Sequence, residues 1–194
     1  DGLAAIIGIC ICTSLLGYTF WLGQDFLSGI LLILLGSLIA FFYYNRPLAS
    51  IYLGDAGSML IGTVLSVVAL KINWISLNDK TFLSALIAPI IFSIPIMEVV
   101  SLILIRRLKK IPFYNGSPDH YIHYLKYKNW SEWQILGFTV LYSLLLFLFS
   151  MSVAFFKTPF FLLLAISLML QGLWLHVVFS KNRIFGVKKS CCNK

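Results

Sequence analysis

The chain has 194 residues, of which 60% are hydrophobic and 11% charged, and its mean hydropathy is +0.92. A soluble domain carries roughly 45–50% apolar and about 25% charged residues, so these residues cannot cover a water-facing globule, and a soluble enzyme, a nucleic-acid-binding domain and a disordered chain are all disfavoured. The class that fits is an all-α polytopic membrane helix bundle forming one domain over residues 1–194. Its net charge of +8, from 15 Lys and Arg against 7 Asp and Glu, then reads as loop charge at one membrane face rather than as affinity for nucleic acid.

Crossing roughly 30 Å of hydrocarbon takes about 20 apolar helical residues. Six segments qualify in chain order: 3–21, 26–43, 56–72, 81–105, 133–156 and 159–180. No basic stretch precedes the first, so it does not read as a signal peptide. The opening on Asp1 instead suggests the C-terminal part of a longer protein. Cys10 and Cys12, in the first segment, are expected to pack as small apolar residues. The third segment is short, with Gly54 and Gly57 at its start. The fourth carries Pro89 and Pro95 and should kink. Ser131 is a plausible N-cap for the fifth, with Glu132 in its first turn. His176 and Gln171 in the last segment read as packed polar residues. Cys191 and Cys192 are adjacent and fit a reduced tail better than a disulfide, with lipidation as the alternative.

Six spans put alternate connections on opposite sides. One side collects Arg46, Arg106, Arg107, Lys109, Lys110, Lys126, Lys128, Lys181, Arg183, Lys188, Lys189 and Lys194; the other has only Lys71, Lys80 and Lys157. Positive charge stays inside, so the loop 106–132 and the tail 181–194 are expected in the cytoplasm.

Asp25 and Asp79 fall in outer connections, and the remaining acidic residues gather near the basic face. In Tyr52-Leu53-Gly54-Asp55-Ala56-Gly57-Ser58 two readings stay open. Asp55 could cap a helix while the glycines permit a tight turn. The same geometry could instead let phosphate approach the helix start, with Asp55 holding Mg²⁺. Glu98, about 12 Å along a helix from Arg106, is either a polar contact between helices or part of a site. The cluster Arg106-Arg107-Leu108-Lys109-Lys110 either sets topology or attracts a lipid phosphate. Beyond it, His120 and His123 stand three apart and would share a helix face, with Ser117 or Asp119 as the cap. Zinc would need further ligands that are not near, so diphosphate or nucleotide binding suits the two histidines better.

Four motifs in this order resemble the polyprenyl-phosphate N-acetylhexosamine-1-phosphate transferases, the glycosyltransferase 4 family related to phospho-N-acetylmuramoyl-pentapeptide transferase. Asp1-Gly2-Leu3-Ala4-Ala5 looks like the second half of an Asp-Gly-x-Asp-Gly-Leu-Ala motif. Tyr52 through Met59 looks like the Leu-Gly-Asp-x-Gly-Ser motif. Ile94-Pro95-Ile96-Met97-Glu98 resembles the Pro-Leu-Phe-Asp/Glu stretch, and Tyr114 through His123 the histidine-containing cytoplasmic loop.

The resemblance implies transfer of a sugar 1-phosphate, in particular an N-acetylhexosamine 1-phosphate, from a UDP-sugar to undecaprenyl or another polyprenyl phosphate. It implies UMP as the second product, Mg²⁺ (with Mn²⁺ as the alternative) as cofactor, and a plasma (inner) membrane protein whose site faces the cytoplasm and initiates cell-envelope glycan synthesis. It makes Asp55 and Asp1 the catalytic carboxylates, with Asp55 on the metal. His120, His123, Asp119, Arg106, Arg107, Gly54 and Ser58 become substrate-binding residues. The partners are the membrane, the lipid and the UDP-sugar, with no nucleic acid; a homodimer is left open. This chain departs from the family's His-x-His-His run, reading His120-Tyr121-Ile122-His123, and it contains no paired acidic residues such as the family has on an earlier loop. The rival readings are a transporter or flippase fragment, which would gather its polar residues near the midplane, and a non-catalytic membrane partner.

Overall fold

The computed structural model describes residues 2–74, 86–109, 120–155 and 160–179. Every regular element among them is a helix: α1 (Leu3–Trp21), α2 (Asp25–Asn45), α3 (Gly54–Lys71), α4 (Ile87–Ile91), α5 (Ser93–Lys109), α6 (Tyr121–Tyr127), α7 (Glu132–Phe155) and α8 (Phe160–Phe179). Among the described residues, α1, α2, α3 and the Glu132–Ser152 stretch of α7 are long and apolar enough to cross a membrane, and α8 holds a shorter apolar run, Ala165–Val177. The protein is an all-α membrane helix bundle, as its composition demands.

The expected kink is a break. Segment 81–105, whose first five residues lie outside the described ones, appears as α4 and α5 separated at Phe92. Pro95 has no N–H for the carbonyl of Ile91, and its ring crowds that carbonyl, so α4 cannot run on. Both prolines stand in the first turn of their own helix, where a missing N–H costs little. Ser93 Oγ covers one freed group by donating to the Pro89 carbonyl (3.3 Å).

Helix α1 is central, packing on α2, α3, α4 and α7. Gly8 makes this close approach feasible: a Cβ there would lie 3.2 Å from Ile61 and 3.3 Å from Leu38, so a small residue lets α2 and α3 close on α1. Ile11, Cys12, Leu15, Leu65, Ile91 and Tyr142 build the apolar core around it. Cys12 is fully buried and its thiol donates to the Leu31 carbonyl (3.3 Å), in keeping with a packing role. Toward the end of α1, the Tyr18 hydroxyl donates to Ser150 Oγ (3.0 Å), and its ring meets the Trp74 ring edge-on at 5.2 Å.

The start of α7 is the expected cap and more. Gln134 N–H donates to Ser131 Oγ (3.3 Å) while Ser131 N–H donates to Gln134 Oε1 (2.8 Å), a reciprocal capping box. His176 differs from expectation: it is exposed. Trp174, 1% exposed, takes the inward face of α8, and two further residues turn His176 about 200° away from it.

At the other end of α1 the chain is tied by a residue the sequence did not single out. Asn45, 6% exposed, accepts a hydrogen bond on Oδ1 from Gly2 N–H (3.1 Å) and donates through Nδ2 to the Ile51 carbonyl (2.7 Å). One amide thus joins the residue before α1, the last turn of α2 and the loop that leads to Asp55. Gly2 sits at φ +73°, and a Cβ there would stand 2.9 Å from the Phe42 ring, so this junction requires glycine. Replacing Asn45 by Leu leaves two backbone groups without their partner, at about 1–3 kcal/mol each. Unfolding of the purified Asn45→Leu protein should show a loss of about 2 kcal/mol or more; a change within about 0.5 kcal/mol would show that the amide is not the tie.

Candidate functional site

The helix directions bring several polar segments to one end of the bundle. Helix α1 starts where α2 finishes and α3 begins, joined by Asn45. Helix α5 runs toward α6, and α7 leaves from there. Lys128, just after α6, donates from Nζ to the Val177 carbonyl and holds the last turn of α8 at the same end. Tyr18, Trp74 and Ser150 mark the opposite end.

The Asp55 turn is the first component. Gly54 opens α3 at φ +66°, a left-handed conformation that a side chain would strain. Asp55 does not cap the helix, contrary to the cap expectation. Leu53 occupies the N-cap position, no side-chain cap bond is made, and Asp55 lies one residue inside the helix. Its carboxylate is exposed and has no hydrogen-bond or ion-pair partner among the described residues. It stands in the first turn, where free N–H groups and the helix dipole favour negative charge and anionic ligands. Ser58 Oγ donates to the Asp55 carbonyl (2.9 Å) and Leu53 folds over Gly57, so the turn is ordered while the carboxylate faces outward.

The histidine helix is the second component. His120 stands at the N-cap of α6 in an extended conformation, not within the helix, and so precedes the face it was expected to share with His123. Its carbonyl accepts the His123 N–H (2.9 Å) to start the first turn. Both histidines are exposed, whereas Tyr121, Tyr124 and Leu125 are buried. Tyr121 anchors α6: its hydroxyl shares a hydrogen bond with Thr139 Oγ1 (3.1 Å) and its ring packs on Trp174 at 5.4 Å. Burial pushes its phenol well above the ordinary range. The spacing of Tyr121, Tyr124 and Leu125 is a helix-face signal that could have identified this anchor from sequence.

Glu98 of α5 connects to this helix. Its Oε1 lies 2.9 Å from His120 Nδ1 and also accepts Tyr121 N–H (3.3 Å). Of the two readings left open for Glu98, a contact between helices is what the geometry shows. It supplies the cap expected from Ser117 or Asp119, both of which lie outside the described residues. Further along α5, Arg106 is half-buried and Arg107 exposed. Lys126 pairs with Glu132 (2.6 Å), linking α6 to α7. Arg46 lies 4.8 Å over the Tyr43 ring, and Tyr44 and Tyr52 are exposed.

Asp1 and Asp119 fall outside the described residues, and no hydrogen bond or ion pair joins Asp55 to α6 among those described. Nor do the described residues contain a cluster of three or more His, Cys, Asp or Glu able to hold a metal. Asp55 alone still fits Mg²⁺, an ion commonly bound by one or two carboxylates with waters and phosphate oxygens completing the shell.

Comparison with known proteins agrees with these motifs. Residues 1–73 match the family described as glycosyl transferase family 4. A phospho-N-acetylmuramoyl-pentapeptide-transferase of Chlamydia muridarum is 33% identical over 135 residues, covering 68% of this chain and 38% of the relative. The protein of that name from Enterococcus hirae is 32% identical over 139 residues (70% and 39%), and that from Lactiplantibacillus plantarum is 35% identical over 104 residues (54% and 30%). The chain therefore spans less than half the length of these relatives. No solved structure matches. With the Asp55 turn and the His120–His123 segment at one end of an apolar bundle, and with these relatives, the chain belongs to glycosyl transferase family 4, among proteins related to phospho-N-acetylmuramoyl-pentapeptide-transferase.

Proposed function

We propose that these residues form part of a membrane transferase that moves an N-acetylhexosamine 1-phosphate from a UDP-sugar to a polyprenyl phosphate at the cytoplasmic face of the plasma membrane. In this reaction an oxygen of the lipid phosphate attacks the sugar-bearing phosphorus. The bond from that phosphorus to the bridging oxygen breaks, and UMP leaves with the bridging oxygen. The observation that carries the reading is the Asp55 carboxylate: exposed, without a partner among the described residues, in the first turn of a helix opened by a left-handed glycine. The reaction class is supported by the relatives, which are named phospho-N-acetylmuramoyl-pentapeptide-transferases.

Phosphoryl-type transfer depends on positioning and on neutralising charge. Asp55 would hold Mg²⁺, which when bound supplies positive charge to the phosphate oxygens. His120 and His123 would donate to the diphosphate, and Arg106 and Arg107 would attract the lipid phosphate. Asp1 and Asp119 belong to the site on the resemblance alone. An apolar cavity of about 390 Å³ lies between α1, α3 and α5, with Ile7, Leu53, Ile61, Leu65 and Pro95 in its wall and Ser58 on its edge. Its walls suit a hydrocarbon chain whose phosphate would stay near the Asp55 turn. A transport path would instead set its polar residues near the midplane.

Three outcomes follow. Asp55→Asn keeps shape and, since Asp55 makes no cap bond, should leave stability unchanged. Sugar-phosphate transfer by the full-length protein at saturating Mg²⁺ should fall by about 10²–10³, the typical cost of one lost electrostatic contact to a transition state. A rate within about twofold of wild type would remove Asp55 from the site. The 194-residue chain on its own should not turn over a UDP-sugar, because no paired carboxylates occur in it to balance Asp55 across the reacting phosphates; turnover by the purified chain would refute this division of roles. A cysteine introduced at Asn115 should react with a membrane-impermeant thiol reagent only after cells are opened. Labelling in intact cells would reverse the orientation.

A further inference from the structure

Glu98 has a geometry that the reaction as described does not use. One oxygen, Oε1, meets two nitrogens: Tyr121 N–H at 3.3 Å and His120 Nδ1 at 2.9 Å. A backbone N–H can only donate, so Oε1 serves as an acceptor. With Glu98 ionised, Oε1 can only accept, so the proton between it and His120 is on Nδ1. In the neutral ring Nε2 is then the bare nitrogen, and in the charged ring it is the donor left for a ligand. Nε2 has no partner among the described residues, and the His120 side chain is 52% exposed against 18% for Glu98. The partly buried carboxylate therefore holds the inner side of an imidazole whose outer side faces solvent.

The same oxygen fixes the ring's position as well as its proton. Tyr121 N–H is one of the free donors at the start of α6, and Glu98 caps it from a different helix. Tyr121 is in turn fixed by Thr139 and Trp174. His120 is thus located by a carboxylate on α5 and by an anchor on α7 and α8, although it stands at the exposed edge of a helix of 7 residues.

We propose that Glu98 is a positioning residue: it fixes the neutral ring's tautomer and the orientation of His120, so that Nε2 faces outward and, once the ring is charged, presents its N–H to an anionic, diphosphate-type substrate. The substrate part of this statement rests on the function proposed above; the tautomer part does not.

Two experiments test it. In the chain labelled with ¹⁵N-histidine and held in nanodiscs, two-bond ¹H–¹⁵N spectra at alkaline pH should show His120 protonated on Nδ1. Glu98→Gln keeps an acceptor oxygen and should keep that tautomer. Glu98→Ala should move His120 toward the Nε2-protonated form while His176 stays as it was. A His120 that remains Nδ1-protonated in Glu98→Ala overturns the proposal, and the Gln variant guards against a mere folding failure. In the full-length protein, Glu98→Ala should lower kcat/KM by about tenfold, within the range for coupled pairs. The double variant with His120→Ala should be no worse than His120→Ala alone, and Glu98→Gln should recover most of the loss. Independent, multiplying losses would overturn the positioning role. Absence of transfer in the wild-type protein would refute the function above while leaving the tautomer result to be judged alone.

Discussion

Each helix leaves N–H groups at its start and carbonyls at its end without intrahelical partners, and a bilayer offers no water to satisfy them. The contacts that meet this need assemble the polar end of the bundle. Asn45 satisfies Gly2 and Ile51 across the α1, α2 and α3 junction. Glu98 caps α6 from α5, Ser131 and Gln134 cap each other at α7, and Lys128 takes a carbonyl in the last turn of α8. Opposite them, Trp74 Nε1 donates to the Ala69 carbonyl at the end of α3 (2.8 Å). Most of these ties cross from one element to another, so closing a helix end also fixes where the next element sits.

The apolar contacts do a different job. Between helices immersed in hydrocarbon, burial supplies little preference for one arrangement, and close packing decides. Gly8 admits α2 and α3, and Tyr18 spans from α1 to α7 with its hydroxyl on Ser150. Helix α1 is consequently surrounded, while α2 and α3 keep most of their surface outward: Phe26, Ile33, Met59 and Leu70 are well exposed within the chain. Those faces suit lipid or further helices.

The chemistry follows from an asymmetry between carboxylates. Glu98 is largely buried and spends Oε1 on two donors, so it acts on its neighbours. Asp55 is exposed, has no hydrogen-bond or ion-pair partner among the described residues and stands where a helix start attracts anions, so it remains available to a ligand. The prolines connect the two: by ending α4 at Phe92 they allow α5 a direction of its own, and α5 carries Glu98, Arg106 and Arg107 toward α6.

Much of this was legible in the sequence because the underlying physics is local. Apolar runs of bilayer length require helices, and their bounds at 3–21 needed nothing beyond hydropathy. An interruption near Pro89 and Pro95, expected as a kink and found as a break, and the Ser131 cap follow from the missing N–H of proline and the reach of a serine hydroxyl. The Asp55 motif was visible as residue types in order, but whether its carboxylate capped the helix depended on where the left-handed turn fell; Gly54 took that turn and left Asp55 inside α3. Asn45 looked like any polar residue at a helix end, since its partners are 43 residues back and 6 ahead. The His120 partner, 22 residues away on another helix, was equally hidden. Sequence spacing speaks for contacts within a turn or two of helix; which side chain closes a helix end from across the bundle is decided only when the helices pack.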